Sequence, residues 1–165
     1  MIEIDISDAL EKPGAEFDYY YSGTPSLEGV LLNEPLVVQA KYRLDDSGVR
    51  VAGTICTQLA ATCSRCLAEA HIPVREEFSE VFTRQCDRNH IDAFRSGDPH
   101  HLSLDNFVRD ALLTAVPIKV LCKQDCRGLC PICGTNLNNS SCSCMSKAAD
   151  EPDGENPFAV LKDLF

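Results

Sequence analysis

The sequence predicts an α+β protein: an antiparallel β-rich domain with one main packed helix and a C-terminal cysteine-rich segment. Three observations predict it. From Leu36 onward, long runs alternate apolar and polar residues with the period of two that a half-buried strand requires. One stretch, Leu104 to Ala115, instead spaces its apolar residues by three and four, as a helix with one buried face does. Beyond it, six cysteines fall between Cys122 and Cys144, and a Cys63-Ser64-Arg65-Cys66 pair precedes them in the strand-like region.

The chain has 165 residues, 44% of them hydrophobic and 24% charged, a length that suits one domain. A chain of this size buries roughly 68–70% of its unfolded surface, so a core is available before any metal is considered. The expected organisation is a single domain over residues 1–165. It comprises a β-rich body over 1–120, a cysteine-rich segment over 121–145, an acidic linker over 146–156 and a terminal helix over 157–165.

The start sets Ile2, Ile4 and Ile6 against acidic neighbours, which predicts a short strand, and Pro13-Gly14 and Gly23-Thr24-Pro25 then mark turns. Little else in residues 1–34 is informative. Val38, Ala40, Tyr42 and Leu44 alternate with Gln39, Lys41, Arg43 and Asp45, and Asp46-Ser47-Gly48 supplies turn chemistry. Val49, Val51, Ile55, Leu59 and Ala61 then share one parity, with Arg50, Thr54 and Gln58 on the other, so a hairpin is expected. After the Cys63–Cys66 pair, Ala70, Ile72, Val74 and Phe78 resume alternation against His71, Arg75, Glu77 and Ser79, which places that pair in the tight connection between two strands.

Residues 84–102, with Gly97 and Pro99 and no apolar period, read as an exposed loop. Ser103 is the expected cap of a helix over about 103–116. Its stripe of Leu104, Phe107, Val108, Ala111, Leu112 and Ala115 faces the core, Asp105 suits its dipole, and Pro117 stops it. The tail from Met145 to Asn156 is acidic and bears Pro and Gly. Phe158, Leu161 and Leu164 then recur at three-residue spacing, expected either to dock on the body or to anchor another protein.

Met1-Ile2-Glu3-Ile4-Asp5 lacks the basic patch and apolar run of a secretory signal, and no stretch approaches the ~18 apolar residues of a membrane span. A soluble, cytoplasmic protein without a membrane partner is expected. The net charge of −10 is opposite to the basic footprint of a protein that wraps nucleic acid. Only Lys119, Lys123, Arg127 and Lys147 crowd together, opposed by Asp125, and they form the one local face that an RNA could meet or, equally, a solvated positive patch.

Ten cysteines without an export signal point to metal or redox chemistry, because a reducing cytosol disfavours disulfides. Cys130-Pro131-Ile132-Cys133-Gly134 has the form of a zinc knuckle: two thiolates two residues apart, Pro fixing one dihedral, and Gly permitting the positive φ that turns backbone N–H groups toward sulfur. Structural zinc takes four ligands, so the C-terminal segment reads as zinc-binding, with one or two Zn2+ per chain. The favoured division sets Cys63, Cys66, Cys122 and Cys126 around one ion and Cys130, Cys133, Cys142 and Cys144 around a second. A competing division gathers Cys126, Cys130, Cys133 and one of Cys142 or Cys144 around a single ion.

Catalysis is not expected, nor is a small-molecule substrate. A catalytic zinc keeps an open position and often uses His, and the knuckles contain none. The zinc deaminase pattern fails as well, since no His-x-Glu occurs and Pro131 follows Cys130 instead of preceding it. His90, His100 and His101 read as solvated, His71 falls on an expected strand, and Cys56 and Cys86 read as ordinary thiols. A thiol-redox or metal-responsive regulator using the C-x-x-C pairs is the alternative class. It is disfavoured because thioredoxin-like pairs open a helix, whereas Cys63–Cys66 lies between strands.

The chain resembles the YceD family, the large ribosomal RNA subunit accumulation proteins of bacteria and plastids, and resembles a zinc-type member of it. The resemblance runs from about Leu36. It rests on Cys63-Ser64-Arg65-Cys66-Leu67, the helix leading into Ala115-Val116-Pro117, the run from Asp125 to Asn138 that contains Cys126-Arg127-Gly128-Leu129-Cys130-Pro131-Ile132-Cys133-Gly134, the Cys142-x-Cys144 pair, and the terminal Pro157 to Leu164. Where the family often continues with Asp-Pro-Arg before a Leu-rich end, this chain has an acidic insertion and then Asn156-Pro157-Phe158. The resemblance implies a metal-binding, non-catalytic factor in large-subunit ribosomal RNA accumulation or processing and ribosome assembly. Its implied partners are ribosome assembly or RNA-processing proteins, with ribosomal RNA reached through Lys119, Lys123, Arg127 and Lys147.

Overall fold

Three long runs of alternating residues dominate the computed structural model, which describes residues 1–83 and 100–144. Cys86, His90, Lys147, the 146–156 linker and the 157–165 segment lie outside the described residues. In chain order the elements are β1 (Glu3–Asp5), α1 (Ser7–Glu11), β2 (Phe17–Gly23), β3 (Leu36–Asp45), β4 (Gly48–Thr62), β5 (Glu69–Phe82), β6 (His101–Ser103) and α2 (Asp105–Ala115). β2 to β5 form an antiparallel meander in sequence order, and β1 pairs with β6 in a separate two-stranded ribbon. The architecture is α+β, mostly antiparallel sheet with two short helices.

The period of two decides which sheet face is buried. Leu36, Val38, Ala40 and Tyr42 from β3, and Val49, Val51, Ile55 and Leu59 from β4, all point into one core. That face is covered by Ile2, Ile4 and Ile6, by Leu102 and Leu104, and by Val108 and Leu112 of α2. Phe107 closes one side, stacking edge-on to Phe82 at 5.8 Å and tilted against Phe78 at 5.0 Å. At Gly53 the neighbouring strand leaves no room for a side chain: a Cβ there would sit 2.2 Å from the Gln39 carbonyl oxygen.

The ribbon ties the N-terminus to the helix. Leu104 N–H donates to the Ile2 carbonyl at 2.8 Å, and Ile2 N–H donates to Asp105 Oδ1 at 2.8 Å. Two expectations are corrected here. Of the exposed loop expected over 84–102, residues 84–99 lie outside the described residues, and His101 and Leu102 instead belong to β6, where Leu102 pairs with Ile4 and is fully buried. Ser103 therefore belongs to a strand; Leu104 is the N-cap, without a side-chain cap bond, and Ser103 Oγ accepts only a long 3.4 Å bond from Asp105 N–H. Residues 1–34 hold β1, α1 and β2, where only the first strand was expected. Among the described residues no helix is long and apolar enough to cross a membrane.

Candidate metal centre

β4 and β5 outrun β3. Pairing of β3 with β4 ends at Val37 opposite Cys56, whereas β4 and β5 stay paired to Thr62 opposite Glu69, so the hairpin carries its tip well past the neighbouring strand. That tip is the Cys63–Cys66 turn. Cys63 N–H donates to the Ala68 carbonyl at 2.8 Å, and Leu67 N–H donates to the Cys63 carbonyl at 3.1 Å, with Leu67 in the left-handed region at φ 59°.

The segment after α2 folds back over this tip. Ser64 N–H donates to the Val120 carbonyl at 2.8 Å, Leu129 N–H to the Arg65 carbonyl at 3.2 Å, and the Arg65 guanidinium to the Cys126 carbonyl at 2.8 Å. Gly128 turns the chain there at φ +75°, where a Cβ would lie 3.2 Å from the Arg65 carbonyl oxygen. Cys63, Cys66, Cys122 and Cys126 consequently converge, with all four sulfurs within 4.8 Å of one another. Cys63 and Cys126 sulfurs are 3.8 Å apart and those of Cys66 and Cys122 3.5 Å. A tetrahedral zinc with Zn–S bonds of about 2.3 Å needs sulfurs about 3.8 Å apart, so the donor set fits such an ion.

Residues 127 to 138 make a small hairpin of their own. Leu129 bridges to Asn136, Cys130 N–H donates to the Thr135 carbonyl at 2.8 Å, and Gly134 N–H donates to the Cys130 carbonyl at 2.9 Å with φ +71° at Gly134. At its tip Cys130 and Cys133 meet Cys142 and Cys144, again with all four sulfurs within 4.8 Å. The structure thus sorts the eight cysteines into the two favoured sets and puts Cys126 with Cys63, against the competing single-ion division. All nine described cysteines are free thiols.

Within each set the acidities are driven apart. Burial pushes Cys63 up, but the backbone N–H groups of Arg65, Cys66 and Cys122 outweigh it and bring the thiol down to about 6. The Thr135 hydroxyl, followed by its backbone N–H, brings Cys133 down to about 6. Cys122 and Cys144 are pushed up to about 12, first by their bonds to Cys66 and Cys133 respectively and then by burial. Each set is therefore a cluster of thiolates and thiols sharing protons, and a soft divalent cation would displace those protons.

The remaining candidates are scattered. Lys119, Lys123 and Arg127 are exposed, and Lys123 lies 4.0 Å from Asp125. His71 is exposed on β5, and His100 Nδ1 shares a 3.4 Å hydrogen bond with Ser7 Oγ. Cys56 is half-buried on β4 and joins neither set. Sequence reasoning assigned no role to Arg65, Thr135 or Asn138, although all three contact the cysteine segments. Their only signal was a place inside the motif runs.

A β-rich α+β body bearing two four-thiol clusters defines a class: small proteins whose cysteine segments could each hold a metal ion. The chain belongs to the YceD family, described as "Large ribosomal RNA subunit accumulation protein YceD", whose model matches residues 51–165. It is similar to an uncharacterized protein of Mycobacterium tuberculosis, 26% identical over 144 residues that cover 81% of this chain and 70% of the relative. A Mycobacterium leprae relative, also uncharacterized, is 25% identical over 147 residues, 82% of this chain and 67% of its own length. A maize protein named as a chloroplastic large ribosomal RNA subunit accumulation protein, YCED homolog 1, is 23% identical over 175 residues, 87% of this chain and 58% of its own length. No solved structure matches.

Proposed function

We propose that the protein is a zinc-stabilised, non-catalytic factor in the accumulation or processing of large-subunit ribosomal RNA, working in the cytoplasm during ribosome assembly. Family membership supports the ribosomal role. The observation that carries the zinc reading is the convergence of eight cysteines into two four-sulfur sets of tetrahedral size. Each set closes on itself without His or carboxylate, which leaves no open coordination position of the kind a catalytic zinc needs.

The metals act on shape: they clamp the hairpin tip to the segment that carries Lys119, Lys123 and Arg127. With a net charge of −10, the protein works mainly through contacts with assembly or RNA-processing proteins, and that basic segment is its RNA-facing surface. Metal analysis of protein purified under reducing conditions tests the zinc reading, with about two zinc ions per chain expected. The exposed Cys133, whose thiol Thr135 brings down to about 6, favours a second reading, a thiol-redox regulator, and a metal content near zero would support it. For the ribosomal role, changing Lys119, Lys123, Arg127 and Lys147 to Glu is expected to reduce co-sedimentation with pre-ribosomal particles; unaltered association removes the patch from the mechanism.

A further inference from the structure

The two cysteine sets are ends of one small hairpin. Cys126 stands at its base in the first set, and Cys130 and Cys133 stand at its tip in the second. The returning strand is held to the base by Leu137 N–H donating to the Gly128 carbonyl at 2.9 Å. Asn138 follows, and its side chain is fully engaged. Its Oδ1 accepts from Arg127 N–H at 2.9 Å, while Nδ2 donates to Asn136 Oδ1 at 2.8 Å and to the Cys126 sulfur at 3.4 Å. Asn136 Oδ1 also accepts from Asn138 N–H at 3.0 Å, which fixes the turn that aims the amide.

We propose that Asn138 is a positioning residue for the first metal site, and that through it the second site preorganises the first. The inference rests on the zinc reading above. An ion on Cys130, Cys133, Cys142 and Cys144 pins the chain on both sides of Asn138, because Cys133 precedes it and Cys142 follows it. The amide is then held against Cys126. When Cys126 becomes a metal-bound thiolate, the N–H to sulfur bond gains charge assistance and offsets part of the charge that four thiolates concentrate on one divalent ion. Thermodynamic coupling is reciprocal, so loading the first site also tightens the second.

Cobalt(II) offered to the metal-stripped, reduced full chain tests this, with binding read by competition against a chelator and by the sulfur-to-cobalt charge-transfer band. Asn138→Asp keeps the acceptor for Arg127 N–H but deletes the donor; one of the two ions is expected to be held about 10–100-fold more weakly. The band of that ion should move to lower energy, because a thiolate without its hydrogen bond donates more charge. Asn138→Ala, which adds no charge, should move the band the same way. In a Cys130→Ser, Cys133→Ser background the remaining site should already be weaker, and Asn138→Asp should add little. Unchanged affinity and band in the full chain, a band shift confined to the Asp variant, or the same fold loss in both backgrounds would each overturn the proposal. A native chain that takes up no cobalt on thiolate would overturn the zinc reading along with it.

Discussion

Thr135 is expected to decide which thiol of the second set reacts first. Cys133 is exposed, and the Thr135 hydroxyl 3.1 Å from its sulfur is the leading cause of a thiol brought down to about 6. At pH 7 such a group is roughly nine-tenths thiolate, against a few per cent for a thiol near its ordinary value of about 8.5. In the metal-stripped, reduced chain, iodoacetamide is expected to label Cys133 ahead of the buried Cys130, as read by peptide mass mapping. The folded-state value is depressed, so the labelling rate should hold at neutral pH and fall as pH drops through about 6. Thr135→Val should move that fall to higher pH, and zinc should protect the thiol. Two glycines in the same segment separate backbone strain from crowding. Gly134 at φ +71° has open space around its Cβ position, whereas Gly128 at φ +75° also faces the Arg65 carbonyl at 3.2 Å. Gly134→Ala should cost about 1–2 kcal/mol from the left-handed conformation alone. Gly128→Ala should cost more and also loosen the first candidate metal set; equal costs in denaturant unfolding would show that the close approach is unimportant.

Among the elements, α2 and the β3–β4–β5 meander hold the core. Leu112 is fully buried against the sheet, and Leu112→Ala is expected to destabilise the protein by about 2–5 kcal/mol in urea unfolding. A smaller loss would mean that the neighbouring sheet collapses onto the void. These elements were legible because each is long and buries one side, so its period survives over many residues. Others were not. β2 buries Phe17, Tyr19 and Tyr21 only partly, and the exposed Tyr20 between them, 65% accessible, hides the alternation. The five-residue α1 and three-residue β6 are too short to show any period, and β6 finds its partner at the far end of the chain, in β1. At the cysteines, spacing alone grouped the eight candidates but left Cys126 ambiguous, since it stands four residues from both Cys122 and Cys130. Long-range backbone bonds decide it, above all Leu129 to Arg65, which seat Cys126 beside the hairpin tip. No sequence periodicity encodes such contacts.

At the scale of the whole molecule, the buried side chains fall into two clusters of different character. The larger contains Ile2, Val51, Ile55, Leu102, Val108 and Leu112 with their neighbours and includes no cysteine. The smaller consists of Cys63, Cys66, Ala70, Val120 and Cys126, so cysteines of the first candidate metal set form most of it. Apparent binding energy of about 10–16 kcal/mol for a structural zinc rivals the 5–15 kcal/mol that stabilises a whole small domain; on the zinc reading proposed above it would act on the two cysteine sets and not on the larger apolar core. Removing metal should consequently split the molecule. The apolar core keeps the meander and α2 folded, while the chain beyond Pro117 loses the sulfur bonds that hold it to the hairpin tip. Hydrogen exchange with and without a strong chelator under reducing conditions checks this. Amides of Ser64, Leu129, Cys130 and Leu137, whose acceptors lie across the cysteine segments, should lose protection on chelation. Amides of β3 and β4 in their mutual ladder should keep theirs. If both groups open together, metal and core form a single cooperative unit and the two-cluster account fails. If neither opens, sulfur coordination contributes nothing to the fold.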